Sequence, residues 1–367
     1  MDIYDELGIT KIINGAATLT RYGGSLMPPE VRAAMVEAAQ HFVDIDELQQ
    51  KVGEQIATWT HNEAAYVSCG AAAGMVLSTA ACITGLDPDK RASLPYTDGM
   101  KNEVIVHKCW RVGYDFAIQQ AGGKLVEIGT EHSATAEDME RAISEKTAAI
   151  FYFYNVSQMG GFVPLEQGIA IAKRHGVPLI VDAAAQLPPV ENLWRFTHMG
   201  ADLALFSGGK GLCGPQSSGL ILGRKDLIEA CAFNACPRPF VGRPMKVGKE
   251  ELVGLMAAVR WYLGLDHVAL LQSYEDQVQT VIAAFAEHSH ATARRSFPSE
   301  AGQPMPRAEV VLRAHRAADV LQQLREGPPS ILLAEAGTNG LYINPQTLRE
   351  GEIAIIITRL KEILAQL

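Results

Sequence analysis

From residue 103 onward, short apolar runs alternate with stretches in which apolar residues recur every three or four positions. The runs are EVIVH (103–107), KLVEIG (124–129), AAIFYFY (148–154), PLIVDAA (178–184), ADLALFS (201–207) and SGLILG (218–223). Continuous apolar runs of this length read as strands buried on both faces, with helices between them as the cover. LEQGIAIAKRHG (165–176) is one such helix. Ile169 and Ala172 share a face, Lys173, Arg174 and His175 complement the dipole in the last turn, and Gly176 with Pro178 ends it. AAIFYFY, this helix and PLIVDAA make one right-handed βαβ unit. With the short strand AAYV (64–67), the pattern predicts an α/β fold: a mostly parallel seven-stranded sheet with helices on both faces.

The pattern changes after about residue 225. NACPRPFVGRP (234–244) reads as an irregular connector, and KVGKEELVGLMAAVRWYLGL (246–265) as a long helix with Val253, Met256, Ala257 and Trp261 in register. ATARRSFPSEAGQPMPRAEV (291–310) is expected to be loop-rich, with Arg294 and Arg295 solvated, and EGEIAIIITRLKEILAQL closes the chain as an amphipathic helix. The expected division is an N-terminal arm at 1–30, a large domain at 31–234 and a smaller α+β domain at 235–367 that the arm joins.

Ala64 to Leu86 contains no charged residue, which is long enough to span a bilayer. Its composition is mostly Ala, Gly, Ser, Thr and Cys, and no cationic cluster flanks it, so a soluble helix packed on a sheet is the expected reading. The start, MDIYDELGIT, is acidic and unlike a secretory signal. Six scattered cysteines without a C-x-x-C pair fit a reducing compartment, and a cytoplasmic location is expected. The 367 residues carry 32 Lys and Arg against 41 Asp and Glu, a net charge of −9. That balance disfavours nucleic acid as a partner.

Three segments are candidates for chemistry. In ALFSGGKGLCGPQSSGLILG (204–223), Lys210 is bracketed by glycines just past a buried strand. A lysine in a crevice at the sheet's carboxyl edge is suited to Schiff-base chemistry, and the glycines would let a flat ligand approach. A glycine-rich turn with a solvated lysine is the alternative. Asp182 ends an otherwise apolar strand, where a carboxylate needs a partner; it suits a protonated pyridine nitrogen, a helix cap or a generic strand end. Cys69, Gly70 and Ala71 lead from a strand into a helix, and such a turn directs free N–H groups at one spot, a natural phosphate site. Ser207, near the lysine, adds a hydroxyl.

In this order, these segments resemble the pyridoxal-phosphate enzymes of the aspartate-aminotransferase fold (fold type I). SGGKGLCGPQSSGLILGRKDLI, NEAAYVSCGAAAGMVLSTAA and GGKLVEIGTEHSATAEDMERAISEKTAAI are similar to the selenocysteine synthase (L-seryl-tRNA selenium transferase) family over roughly residues 10–265. No tRNA-binding region precedes the similarity. NGAATLTRYGG, HKCWRVGYDFAIQQAGG and PFVGRPMKVGKEELVGL resemble its small-molecule branch, which includes D-glucosaminate-6-phosphate ammonia-lyase. The resemblance implies pyridoxal 5'-phosphate as cofactor, with Lys210 as the catalytic residue holding it, Asp182 on the ring nitrogen, and Cys69, Gly70, Ala71 and Ser207 on the phosphate. His107 would stack on the ring, with Trp110 as the rival for that place and a structural strand-end histidine as the alternative. Gln158, or more weakly Gln186, would touch the 3-hydroxyl or the substrate.

Arg21, Trp110, Arg111 and Arg243 are candidates for binding an anionic substrate, with Arg238 and Lys246 as further cations in similar surroundings. The implied activity is removal of the Cα proton and β-elimination from a hydroxy amino acid or amino sugar acid, giving a 2-oxo acid and ammonia. Racemisation, aldol cleavage and β-replacement are open alternatives with the same residues. A small-molecule substrate, no nucleic-acid or membrane partner, and a homodimer or higher even-numbered oligomer complete the expectation.

Overall fold

The computed structural model describes residues 2–155 and 160–366. The chain divides into two compact units, Met27–Gly264 and Met1–Leu26 with Leu265–Leu367. Among the described residues the strands, in chain order, are β1 (Ile12–Asn14), β2 (Ala64–Ser68), β3 (Glu103–His107), β4 (Lys124–Ile128), β5 (Thr147–Phe153), β6 (Leu179–Asp182), β7 (Leu203–Ser207), β8 (Gly219–Gly223), β9 (Ala291–Ser296), β10 (Arg307–Leu312), β11 (Ser330–Leu332), β12 (Ala334–Glu335) and β13 (Gly340–Ile343).

The larger unit holds a seven-stranded sheet in the order β2-β8-β7-β6-β5-β3-β4. β8 runs antiparallel to both of its neighbours, and the remaining pairs are parallel. Every residue of β5 is buried, which explains why its run carries no alternation. The helix Leu165–His175 ends at Gly176 in the left-handed conformation (φ 62°), as its sequence predicts.

Register aligns the strand ends. Ser68 pairs with Gly219, Gly219 with Ser207, Leu205 with Asp182, and Asp182 with Phe153. The carboxyl ends of β2, β5, β6 and β7 therefore fall along one edge of the sheet, where ligands of open α/β sheets bind.

The uncharged stretch resolves into β2, a turn, and the helix Ala71–Thr84. That helix is buried continuously from Ala73 to Ala81 and packs on β7, β8 and the helix Lys225–Asn234. A helix enclosed on all sides has no polar face, and its small side chains permit the close approach. Among the described residues no helix is long and apolar enough to cross a membrane.

Two expectations differ from the structure. The helix Lys249–Leu263 lies in the larger unit, not in a domain starting at 235, because it packs on the helices Pro29–Ala38 and Ile45–Trp59. Gly254 allows that approach, since a Cβ there would stand 2.7 Å from Met35 Cγ. The stretch 291–310 is not mainly loop: it contributes β9 and the start of β10, paired antiparallel from Arg307↔Ser296 to Leu312↔Ala291. Its arginines are exposed, as expected, and each is also paired. Arg294 donates to Glu309 (2.9 and 2.7 Å), and Arg295 Nε donates to Glu275 (2.9 Å).

The smaller unit carries the antiparallel sheet β12-β13-β10-β9 and the parallel pair β1-β11. Val310, Leu324, Ile331, Ile356 and Leu360 form its core with the helices Ala317–Glu326 and Glu352–Gln366.

Candidate active site

The turn after β2 meets the start of β8 closely. A Cβ on Gly219 would lie 2.4 Å from the Gly70 carbonyl carbon, so glycine at 219 is what lets the turn rest on the sheet. Ser68 Oγ donates to the Gly70 carbonyl (2.9 Å) and fixes the turn from inside. Gly70 itself has φ 127°, with open space where a Cβ would be, and it caps the helix Ala71–Thr84 without a side-chain bond. The first-turn N–H groups of that helix have no intrahelical acceptor, and Cys69, Gly70, Ala71 and Ala72 are all accessible. Burial holds the Cys69 thiol above its ordinary range, so it brings no negative charge toward an anion. Ser207 lies in the same row, across Gly219. These features fit a phosphate group.

Asp182, at the end of β6, is held above the usual carboxylate range by burial, against the Ala184 N–H (3.0 Å) and the charge of Lys210, which both favour ionisation. The residues at the edge thus include a half-buried acid whose desolvation outweighs the Ala184 N–H and the charge of Lys210. That donor set fits a ligand bringing a cationic ring nitrogen and an aldehyde.

The glycines around Lys210 are also required by packing. A Cβ would stand 2.0 Å from Ser218 Oγ at Gly208, 2.6 Å from Gln216 Cα at Gly209 and 2.5 Å from the Leu187 carbonyl oxygen at Gly211. They serve the packing of the lysine loop on itself and its neighbours. Backbone bonds close the loop: Gly208 N donates to Ser218 O, Gly214 N to Gly208 O, and Cys213 N to Lys210 O.

His107 ends β3 and is 1% exposed, enclosed by Tyr152, Trp110 and Phe162 with ring centroids 4.7, 5.7 and 6.0 Å away. Neither ring nitrogen has a hydrogen-bond partner, and burial pushes its pKa down to about 4, so the ring is neutral at physiological pH. Trp110 is buried with it, its centroid 3.8 Å from that of Phe162. The Arg111 guanidinium is paired with Asp115 and Glu127. Arg238 is held by Asp46 (3.1 Å). Arg243 and Lys246 are exposed, and Arg243 Nη1 lies 3.8 Å from Cys236 Sγ. Arg21 is exposed in the smaller unit. Gln186 is buried, and Gln158 lies outside the described residues. A cavity of about 650 Å³ lies along β2, lined by Tyr66, Ile228, Phe233, Arg238 and Leu252, and does not include Lys210. Among the described residues no cluster of His, Cys, Asp and Glu could hold a metal ion.

Gly219, Ser68 and Ser218 had not been singled out in the sequence. Their signal, small residues at a strand start and a strand end, becomes legible only once β2 and β8 are known to pair.

A structure of serine palmitoyltransferase from S. paucimobilis with bound PLP matches 97% of this chain and 89% of its own, with TM-score 0.61 and 15% identity. The fold is that of the fold type I class of pyridoxal-phosphate enzymes. The family model for L-seryl-tRNA selenium transferase, SelA, matches residues 109–283. D-glucosaminate-6-phosphate ammonia lyase of Salmonella typhimurium (strain 14028s / SGSC 2262) is 36% identical over 99% of this chain and 98% of its own. A solved structure under the same enzyme name aligns over 100% and 99% with TM-score 0.87 and 34% identity. The 5'-C-glycyluridine monooxygenase-decarboxylase of Streptomyces sp is 33% identical over 98% and 92%. The chain belongs to the selenocysteine synthase-like family, in the branch of D-glucosaminate-6-phosphate ammonia lyase.

Proposed function

We propose that this chain is a pyridoxal-phosphate-dependent ammonia-lyase acting on an amino sugar acid or a hydroxy amino acid. The observation that carries the reading is Asp182, half-buried at the carboxyl edge of the sheet, its carboxyl raised by desolvation and within reach of the charge of Lys210. The 36% identity to the Salmonella lyase over nearly the whole chain supports the reaction type. Pyridoxal phosphate, when bound, supplies a carbonyl that condenses with amines and a ring that delocalises the charge left by Cα deprotonation.

The protein's part follows from the residues. Cys69, Gly70 and Ala71, with Ser207, hold the phosphate through first-turn N–H groups and a hydroxyl. Asp182 would hold a proton on the ring nitrogen of the bound cofactor. Lys210 would hold the cofactor, and its amine, when free, would carry the proton from the substrate Cα. His107, neutral and backed by Tyr152 and Phe162, gives the ring an uncharged aromatic neighbour that excludes water. The β-hydroxyl leaves as water, and hydrolysis of the resulting C=N bond by one water then releases ammonia and supplies the oxo oxygen, so a 2-oxo acid and ammonia form with no net water.

The 33% identity to a monooxygenase-decarboxylase supports a second reading, in which oxygen is consumed and carbon dioxide released. A screen of hydroxy amino acids and amino sugar acids, phosphorylated and free, separates the two. Ammonia and 2-oxo acid in equal amounts without oxygen uptake support the lyase; oxygen uptake with carbon dioxide release overturns it. We also take the enzyme to be a cytoplasmic, even-numbered homo-oligomer. Phe42, Tyr114 and Phe116, 103%, 65% and 60% exposed on the larger unit, support association. Light scattering that finds only monomer would contradict it.

A further inference from the structure

Three of the ten histidines meet at one corner of the smaller unit. His288 follows the helix His267–Ala284, His290 precedes β9 and His315 follows β10, so the pairing of β9 with β10 gathers them. Ring centroids lie 5.9 Å apart for His288 and His290, and 6.1 Å apart for His290 and His315. The ring of the buried Phe285 is 5.3 Å from that of His288, and Lys361 Nζ, on the helix Glu352–Gln366, stands 5.8 Å from the same phenyl ring. Arg313 joins through the backbone, its N–H donating to the His290 carbonyl (2.9 Å). The three imidazoles are half-buried and Arg313 is exposed.

The charges here are of one sign. Burial first, then Lys361, His290 and Arg313, all cationic, hold the pKa of His288 below the ordinary histidine value. Among the described residues neither Arg313 nor Lys361 is paired with a carboxylate, whereas Arg359 on the same helix as Lys361 has Glu362. Glu287 and Asp319, the other acids on these elements close in sequence to the cluster, are exposed. A chain of net charge −9 thus keeps five cationic or protonatable groups together, an arrangement that self-repulsion disfavours until an anion joins it. His290 N donates to His288 Nδ1 (3.3 Å), so the neutral His288 ring carries its proton on Nε2 and can donate there. Guanidinium, ammonium and imidazole N–H groups all match phosphate oxygens, and an imidazole gains charge as pH falls through about 6.5.

We propose that His288, His290 and His315, with Arg313 and Lys361, form a site on the smaller unit for a phosphate group, whose binding is coupled to proton uptake. It stands independently of the reading of the sheet edge. Calorimetric titration of the full-length protein with sulfate tests it, at constant ionic strength and with pyridoxal phosphate saturating. Sulfate keeps its charge between about pH 6 and about pH 8, the range in which imidazoles change theirs, so a pH dependence belongs to the protein. The expected result is a binding class at least about tenfold tighter at the lower pH. There it is weakened at least about tenfold in His290→Gln and in Arg313→Gln and unchanged in Arg294→Gln. Arg294 is paired with Glu309, and its loss removes one positive charge from the same unit, which makes it the control. Equal binding by all four proteins, no saturable binding by wild type, or binding no tighter at the lower pH overturns the proposal. Should His290→Gln fail to fold by circular dichroism, the exposed Arg313→Gln decides alone. Titrations with inorganic phosphate and with glycerol 3-phosphate at the lower pH then identify the source of the anion. Tighter binding of the ester assigns the site to a phosphorylated metabolite, and equal or tighter binding of inorganic phosphate assigns it to the free ion.

Discussion

Two regions of the molecule treat charge in opposite ways. At the carboxyl edge of the seven-stranded sheet, Asp182 is half-buried with the cost of its desolvation only partly offset, and His107 is enclosed with both nitrogens unbonded. On the β9–β10 pair, Arg294 meets Glu309 and Arg295 meets Glu275 at the surface, each guanidinium matched by a carboxylate. The second arrangement suits a solvated sheet face, where such pairs add little. The first is costly to the protein alone and is explained by a ligand that completes it. Incomplete satisfaction under burial, rather than the number of charges, separates the site from the scaffold.

The comparison can be broken at several points. Lys210→Ala should lower kcat by at least about 10³-fold while circular dichroism and the thermal midpoint stay near wild type, because the loop is closed by backbone bonds. Asp182→Asn should lower kcat by about 10²-fold. Its effect on the cofactor-free protein runs the other way. A carboxyl raised by burial contributes stability that is lost as pH rises above its unfolded value, so the variant should be at least as stable as wild type at pH 7, measured by urea denaturation. A less stable, fully active variant would erase the distinction between the two regions.

His107 gives the pH signature. Its pKa is depressed from 6.5 to about 4, so its contribution is present above pH 6.5 and is lost as pH falls toward 4. At about 1.4 kcal/mol per pKa unit the loss approaches 3 kcal/mol. His107→Phe should flatten the stability profile between pH 6.5 and 4 relative to wild type in paired urea titrations. At the far end of the scale, Arg294→Ala should leave kcat unchanged and barely move the urea midpoint, since its pairing is at the surface.

The larger sheet was legible because its strands are buried on both faces, which writes them as unbroken apolar runs. β9 was not, since two adjacent arginines interrupt its pattern and their partners Glu309 and Glu275 are remote in sequence. Lys210, Asp182 and the Cys69–Ala71 turn could be placed from strand ends alone. The reason for Gly208, Gly209 and Gly211 could not, because Ser218, Gln216 and Leu187 become their neighbours only through folding. Arg111 is the case where a signal was present: Asp115 stands four residues ahead, the spacing of a helical ion pair.

The central claim is that the half-buried acid and the lysine at the sheet edge hold a pyridoxal phosphate. Borohydride reduction of the protein saturated with pyridoxal phosphate, followed by peptide mass mapping, tests it most directly. The account predicts one phosphopyridoxyl group per chain, on the peptide containing Lys210, and none in Lys210→Ala. Labelling spread over surface lysines such as Lys225 and Lys246, with Lys210 unmodified, would contradict it.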